Sequence, residues 1–192
     1  MIIMSRLPLT IPARYGVANG SLAVQMLWVA GFTLLTALAA QIEIPTRPVP
    51  FTLQTLAVVV AGALLGPRKG ALSMLLYLAM GAIGMPVFSS GGFGLATLFG
   101  PTGGYLLSFP AAAALVGLLV SKANRTWTIA LVMAAGMALV SLGGVLQLRA
   151  VTGLSWEESL AAGVLVFSLW DVVKLAAATA IVKALRQAGK QP

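Results

Sequence analysis

The sequence predicts an all-α integral membrane protein of six transmembrane helices, with both ends in the cytoplasm. Three observations carry that prediction. The 192 residues are 59% hydrophobic and only 8% charged, where soluble domains carry roughly a quarter of their residues as charges. Apolar stretches alternate with short segments rich in glycine, proline and charge. The cations, finally, sort to one side of the resulting spans.

The first apolar stretch covers about 21–41 and ends at the breaker-rich run from Ile44 to Pro50. The preceding twenty residues lack the apolar core of a signal peptide, so this first helix is expected to be retained. The second stretch, 52–65, is closed by Gly66-Pro67-Arg68-Lys69-Gly70, and the third, 71–85, stops at Pro86. A Gly-rich segment follows, then helices at 104–120, 127–148 and 157–183. The length suits one membrane domain over 1–192.

The second and third stretches are short against the roughly 20 residues that span a bilayer core. Either both cross as short helices, or they form a re-entrant pair. Charge favours crossing. With every segment crossing, Arg6, Arg14, Arg68, Lys69, Lys122, Arg125, Lys183, Arg186 and Lys190 face the cytoplasm, while Arg47 and Arg149 lie outside. A re-entrant pair would move Arg68 and Lys69 outside and spoil a bias known to set orientation. The net charge of +8 is therefore a topology signal and not a nucleic-acid footprint.

Several function classes are excluded by composition. Cysteine and histidine are both absent, so disulfides, thiolate nucleophiles, imidazole bases and Cys/His metal sites have no residues to form them. The segment from Gly66 to Ser73 does not fit the P-loop pattern, and no other segment does. No enzyme activity, metal or cofactor is expected.

Four groups of residues stand out as sites. Asp171 and Lys174 are predicted near the middle of the last helix, on one face at i, i+3 spacing. Charges at that depth usually face a bundle interior or a cavity. A structural ion pair, a snorkelling lysine, a proton relay and a polar binding site are all compatible with the pair. The second group is the uncharged external loop with Phe88, Ser89, Ser90, Gly91, Gly92 and Phe93, which suits a lid over the bundle. The third is Gly100-Pro101-Thr102-Gly103-Gly104-Tyr105, which leads into a helix whose outward N-terminus suits an anion. Fourth, Thr52 reads as an N-cap and Gln54 as a first-turn residue able to line the same pocket. Small residues also recur every fourth position at Ala130, Ala134 and Ala138, at Ala176, Ala180 and Ala184, and at Thr33 and Ala37. Such rows serve bundle packing or docking of a partner in lipid.

Taken together, Pro48-Val49-Pro50-Phe51-Thr52-Leu53-Gln54-Thr55, Leu65-Gly66-Pro67-Arg68-Lys69-Gly70, Tyr77, Gly84-Met85-Pro86-Val87-Phe88 and Gly100 to Tyr105 closely resemble the BioY family. These are the biotin-specific substrate-binding (S) components of energy-coupling factor (ECF) transporters. The resemblance implies an S-component bundle with a biotin site at its external end, closed by the first and third external loops. It implies that Asp171 and Lys174 are the ligand-contacting pair; either the Gly103 and Gly104 amides or, in the opposite orientation, Lys174 then holds the carboxylate, with Phe88, Phe93 and Tyr105 packing the ligand. It also implies a transmembrane coupling subunit and two ATPase subunits as partners, with Thr33 and Ala37 the nearest match to the docking row. An S component for another vitamin, such as thiamine or riboflavin, and a purely structural membrane subunit are the competing readings.

Overall fold

In the computed structural model of the chain, residues 21–164 and 168–188 are described. The elements are α1 (Leu22–Gln41), β1 (Glu43–Ile44), β2 (Phe51–Thr52), α2 (Gln54–Ala82), α3 (Gly94–Phe99), α4 (Gly103–Val120), α5 (Thr126–Thr152), α6 (Trp156–Gly163) and α7 (Ser168–Ala188). A single 3₁₀ turn, Ser89–Gly91, precedes α3. Among the described residues the regular structure is thus helical apart from an antiparallel ribbon, two residues per strand, that pairs Glu43 with Thr52 and Ile44 with Phe51. By length and composition α1, α2, α4 and α5 are each apolar enough to cross a membrane.

The element α2 is not one straight rod. Gly66 has φ 78° and ψ 178°, outside the helical region, and Pro67 follows it at the first position of a new helix, where its missing N–H costs nothing. The two arms, 54–65 and 67–82, fold back on each other. A Cβ on Gly70 would lie 2.9 Å from the Cα of Gly62. At the open end of the hairpin, Gln54 Nε2 donates to the Tyr77 hydroxyl at 2.5 Å. In a continuous helix those two residues would stand about 35 Å apart at 1.5 Å per residue. The sequence places the turn at 66–70; the structure confines the break to Gly66, because proline starts the next helix at once.

This hairpin is the centre of the bundle. Residues 57–65 are buried without interruption, and Tyr77, Met74, Phe88, Phe109, Met133 and Val182 join the same core. Close approach of α4 depends on glycine: a Cβ on Gly62 would lie 2.3 Å from the Ala113 carbonyl oxygen, and one on Gly117 2.4 Å from the Pro67 nitrogen. An arm wrapped by other helices can be shorter than a lipid-exposed span and still keep its backbone polar groups satisfied.

The contacts sort the loops to two ends. At one end Gly117 meets Pro67, and Arg186 Nη1 and Nη2 donate to the carbonyls of Ala123 and Val120 at 2.8 and 2.7 Å. Arg68, Lys69, Lys122, Arg125, Lys183 and Arg186 belong to the segments gathered here. The other end holds residues 42–53, 83–102 and 153–157, with Arg47 and Arg149. Of the basic residues expected on the cytoplasmic side, Arg6, Arg14 and Lys190 lie outside the described residues.

Three boundaries differ from expectation. The long loop after α2 carries structure of its own, in the 3₁₀ turn and α3. Thr52 is not the N-cap of α2; that position is Leu53, and the Thr52 hydroxyl instead accepts the Gln54 N–H at 3.3 Å. The expected last helix at 157–183 is interrupted. α6 starts with a capping box between Ser155 and Glu158 and ends at Gly163, and Val164 is non-helical at φ −133°, ψ −51°. Residues 165–167 of the expected helix lie outside the described residues, and α7 then runs on to Ala188.

Candidate functional site

A cavity of about 190 Å³ opens at the end of the bundle opposite the basic cluster. Ligand sites are typically about 300–1,000 Å³, so this one suits a small molecule and not a lipid or a peptide. Its wall is amphipathic: Val49, Phe51, Phe88, Leu106, Phe109 and Val140 are apolar, whereas Thr52, Thr55, Thr102 and Ser141 bring hydroxyls. Asp171 and Lys174 are the two charged residues in the lining.

The interruption before α7 decides where that pair sits. Asp171 falls in the first turn of α7 and not at mid-helix as the sequence suggested. A carboxylate there is favoured by the positive end of the helix dipole. Lys174 is 5% exposed, and its Nζ lies 2.6 Å from Asp171 Oδ1. The same ammonium donates to Thr55 Oγ1 at 2.7 Å and to the Thr52 carbonyl at 3.4 Å, and it stands 4.2 Å over the Phe51 ring. An ammonium has three donors, and all three are used. Thr55 and Phe51 were not singled out from sequence as site residues, although both lie in the proline-rich run that carries the resemblance.

Gln54 lines the cavity with its amide already engaged at both ends. Its Oε1 accepts the Thr52 hydroxyl at 2.9 Å, and its Nε2 meets the Tyr77 hydroxyl, which in turn donates to the Val87 carbonyl at 3.0 Å. Gln54 thereby ties both arms of α2 to the loop that follows them. Phe88, Ser89 and Ser90 line the cavity. Phe88 packs edge-on against Tyr77 at 5.5 Å between centroids, over a bare Gly81 where a Cβ would collide with the ring.

Five of the other expected residues, Gly91, Gly92, Phe93, Gly103 and Gly104, stand apart from the lining, and Tyr105 belongs to it. Gly91 and Gly92 close the tight turn behind Ser89, with Gly92 N–H donating to the Ser89 carbonyl at 2.9 Å, and Phe93 is exposed. Gly103 gives its N–H to the Gly100 carbonyl at 3.1 Å. A Cβ on Gly103 would meet the Leu98 carbonyl at 1.8 Å, and one on Gly104 the Gly143 carbonyl at 2.2 Å. These two glycines let α4 press against α5 and the preceding turn; their neighbour Thr102 is the residue that reaches the cavity. Tyr105 lines the cavity with its ring laid over Gly144, and its hydroxyl donates to the Gly163 carbonyl at 3.0 Å.

Two anchors escaped the sequence reading. Gln147, in α5, donates through Nε2 to the carbonyls of Leu98 and Gly100, both at 2.8 Å, and so fixes the α3–α4 turn. Glu43 accepts from Ser89 and Ser90 across the mouth of the cavity. In the row at Thr33 and Ala37, Thr33 is buried and Ala37 half-buried. Thr33 is 3% exposed, and its hydroxyl is directed at the carbonyls of Val29 and Ser73 at 2.9 and 3.0 Å. By contrast Ala176, Ala180 and Ala184 are all exposed along α7.

Residues 12–191 match the family model described as the BioY family. The chain belongs to the BioY family. A relative from Pyrococcus horikoshii named "Probable biotin transporter BioY" is 40% identical over 84% of this chain and 94% of its own length. The "Biotin transporter BioY" of Thermotoga maritima is 36% identical over 81% of this chain and 92% of its own. Among solved structures, the S-component for biotin from an ECF-type ABC transporter superposes with a TM-score of 0.78 at 28% identity, covering 88% of this chain and 93% of that one. The bundle described above is therefore the S-component fold.

Proposed function

We propose that this BioY-family chain captures biotin in the cavity at the end of its bundle and serves as the substrate-binding subunit of an ECF-type transporter. The observation that carries the reading is the ion pair between the buried Lys174 and the half-buried Asp171, set at one polar corner of an otherwise amphipathic cavity. Biotin has a polar ureido ring, an apolar thioether body and a carboxylate on an aliphatic chain. Asp171 accepts a ureido N–H, and Lys174 donates to the ligand in place of its long bond to the Thr52 carbonyl. The thioether body and chain lie on Phe88, Leu106, Phe109 and Tyr105. Thr102, at the start of α4, meets the carboxylate in place of the Gly103 and Gly104 amides, which stand apart from the lining.

The chain crosses a prokaryotic cytoplasmic membrane six times, counting the two arms of α2 separately and α6 with α7 as one span. The segments bearing Arg68, Lys69, Lys122, Arg125, Lys183 and Arg186 gather at one end, which the Lys/Arg bias assigns to the cytoplasm. The cavity then opens outward. With no P-loop of its own, the chain draws energy from a transmembrane coupling subunit and two ATPase subunits. Calorimetric titration of the detergent-purified protein with biotin, thiamine and riboflavin tests the ligand. Saturable 1:1 binding of biotin alone is expected; binding of thiamine or riboflavin without biotin overturns it.

A further inference from the structure

The two loops that cover the cavity are fastened together by side chains that the ligand reading leaves without a role. Ser89 and Ser90 both donate through Oγ to the Glu43 carboxylate, one to each oxygen, the Ser90 bond measuring 2.5 Å. Alongside them, Gln41 Nε2 donates to the Phe88 carbonyl at 2.9 Å, and the Gly91 N–H donates to Gln41 Oε1 at 3.3 Å. Gln41 and Glu43 thus hold the whole turn from Phe88 to Gly91, three of whose residues line the cavity.

Two further observations show that the turn is held and does not simply rest there. Ser90 has φ 55° and ψ 30°, the left-handed region, which costs a non-glycine residue free energy and persists only where surrounding contacts impose it. The ribbon that carries Glu43 has two residues per strand, too few to be stable on its own pairing. Side-chain bonds to the carboxylate therefore supply the connection that backbone pairing does not. Glu43 is also the residue paired in the ribbon with Thr52, whose carbonyl takes the long bond from Lys174. The fastening and the ammonium meet on one residue.

We infer that Glu43, with Gln41, is the latch of the lid, a positioning residue that sets how long the ligand stays. It does not touch the ligand; it holds Ser89 and Ser90 over it. The inference rests on the reading that biotin occupies the cavity. Hydrogen bonds to an ionised group are among the stronger ones in proteins, and two of them end on this carboxylate.

The test is the release of labelled biotin from the full chain in nanodiscs, chased with excess unlabelled biotin. Glu43→Ala is expected to speed release roughly ten-fold or more, with association unchanged or faster. Glu43→Gln, which keeps shape but loses charge, should fall between. The pair Ser89→Ala and Ser90→Ala should match Glu43→Ala, and combining all three should add no further acceleration, because each removes the same bonds. A release rate within about two-fold of the parent for Glu43→Ala, or effects that multiply in the combined variant, overturns the latch while leaving the biotin site standing. If Glu43→Ala does not yield folded protein, Glu43→Gln and Gln41→Leu decide by the same criterion, since neither residue lines the cavity. A parent chain that binds no biotin sinks the ligand reading instead, and the latch with it.

Discussion

Replacing Lys174 by methionine keeps the length and most of the apolar volume of the side chain and deletes its ammonium. The parent ammonium makes two short bonds, to Asp171 at 2.6 Å and Thr55 at 2.7 Å, and a long one to the Thr52 carbonyl at 3.4 Å. Breaking a fully buried ion pair costs about 3–5 kcal/mol because a charge is left behind without a partner. Here the lysine is 5% exposed but the aspartate 29%, so water reaches the orphaned carboxylate and the cost should fall to about 1–3 kcal/mol. Ligand affinity loses one hydrogen bond from a charged donor, worth about 1.5–3 kcal/mol, which corresponds to a Kd raised roughly 10- to 150-fold. Thermal unfolding in detergent and calorimetric titration with biotin measure the two quantities on the same preparation. Adding Asp171→Asn to Lys174→Met should recover stability, since no carboxylate is then orphaned, without recovering affinity. A Lys174→Met protein that keeps its Kd within about two-fold would refute the placement of the ammonium on the ligand.

The hairpin of α2 gives a second prediction: Tyr77→Phe leaves Gln54 Nε2 and the Val87 carbonyl without their partner and should destabilise the fold by about 1–3 kcal/mol, read as a lowered Tm. Gly104→Val drives a Cβ to within 2.2 Å of the Gly143 carbonyl oxygen; overpacking of this kind costs about 1–3 kcal/mol or more, and loss of monodisperse protein on size exclusion is the expected readout. Gln147→Leu removes the side-chain donor from the carbonyls of Leu98 and Gly100 and should weaken biotin binding several-fold through the displaced Thr102, with a smaller effect on Tm. The absence of native cysteine permits a topology test in intact cells: Ile83→Cys should react with an impermeant maleimide from outside, and Lys69→Cys only after permeabilisation.

The chain announces some of this architecture locally and hides the rest in contacts between distant residues. Gly66-Pro67 states a helix stop followed by a helix start, so the break in α2 is legible. The return of its second arm was expected from the charge count, but the contacts that close the pair, Gly62 on Gly70 and Gln54 on Tyr77, have no periodic signature. The start of α6 was written in Ser155 and Glu158, spaced as a capping box, but apolar residues on both sides of Gly163 blend α6 and α7 into one stretch. That blending put Asp171 at mid-helix when it belongs to a first turn. Gly103 and Gly104 signal a close approach without saying to what; the Gly143-Gly144 pair on α5 was the matching clue to packing. The Glu43 contacts to Ser89 and Ser90 span 46 and 47 residues, and nothing local foretells them.

Biotin is expected to sit against Lys174 and Asp171, beneath the Ser89–Ser90 turn. A structure of the biotin complex in nanodiscs tests it most directly. Ligand density is expected in the cavity, with the Lys174 ammonium and the Asp171 carboxylate each within about 3.2 Å of a polar ligand atom. Density placed instead in the apolar cleft lined by Met137, Leu142, Trp156 and Leu160, with Lys174 still on Thr52 and Thr55, would contradict it.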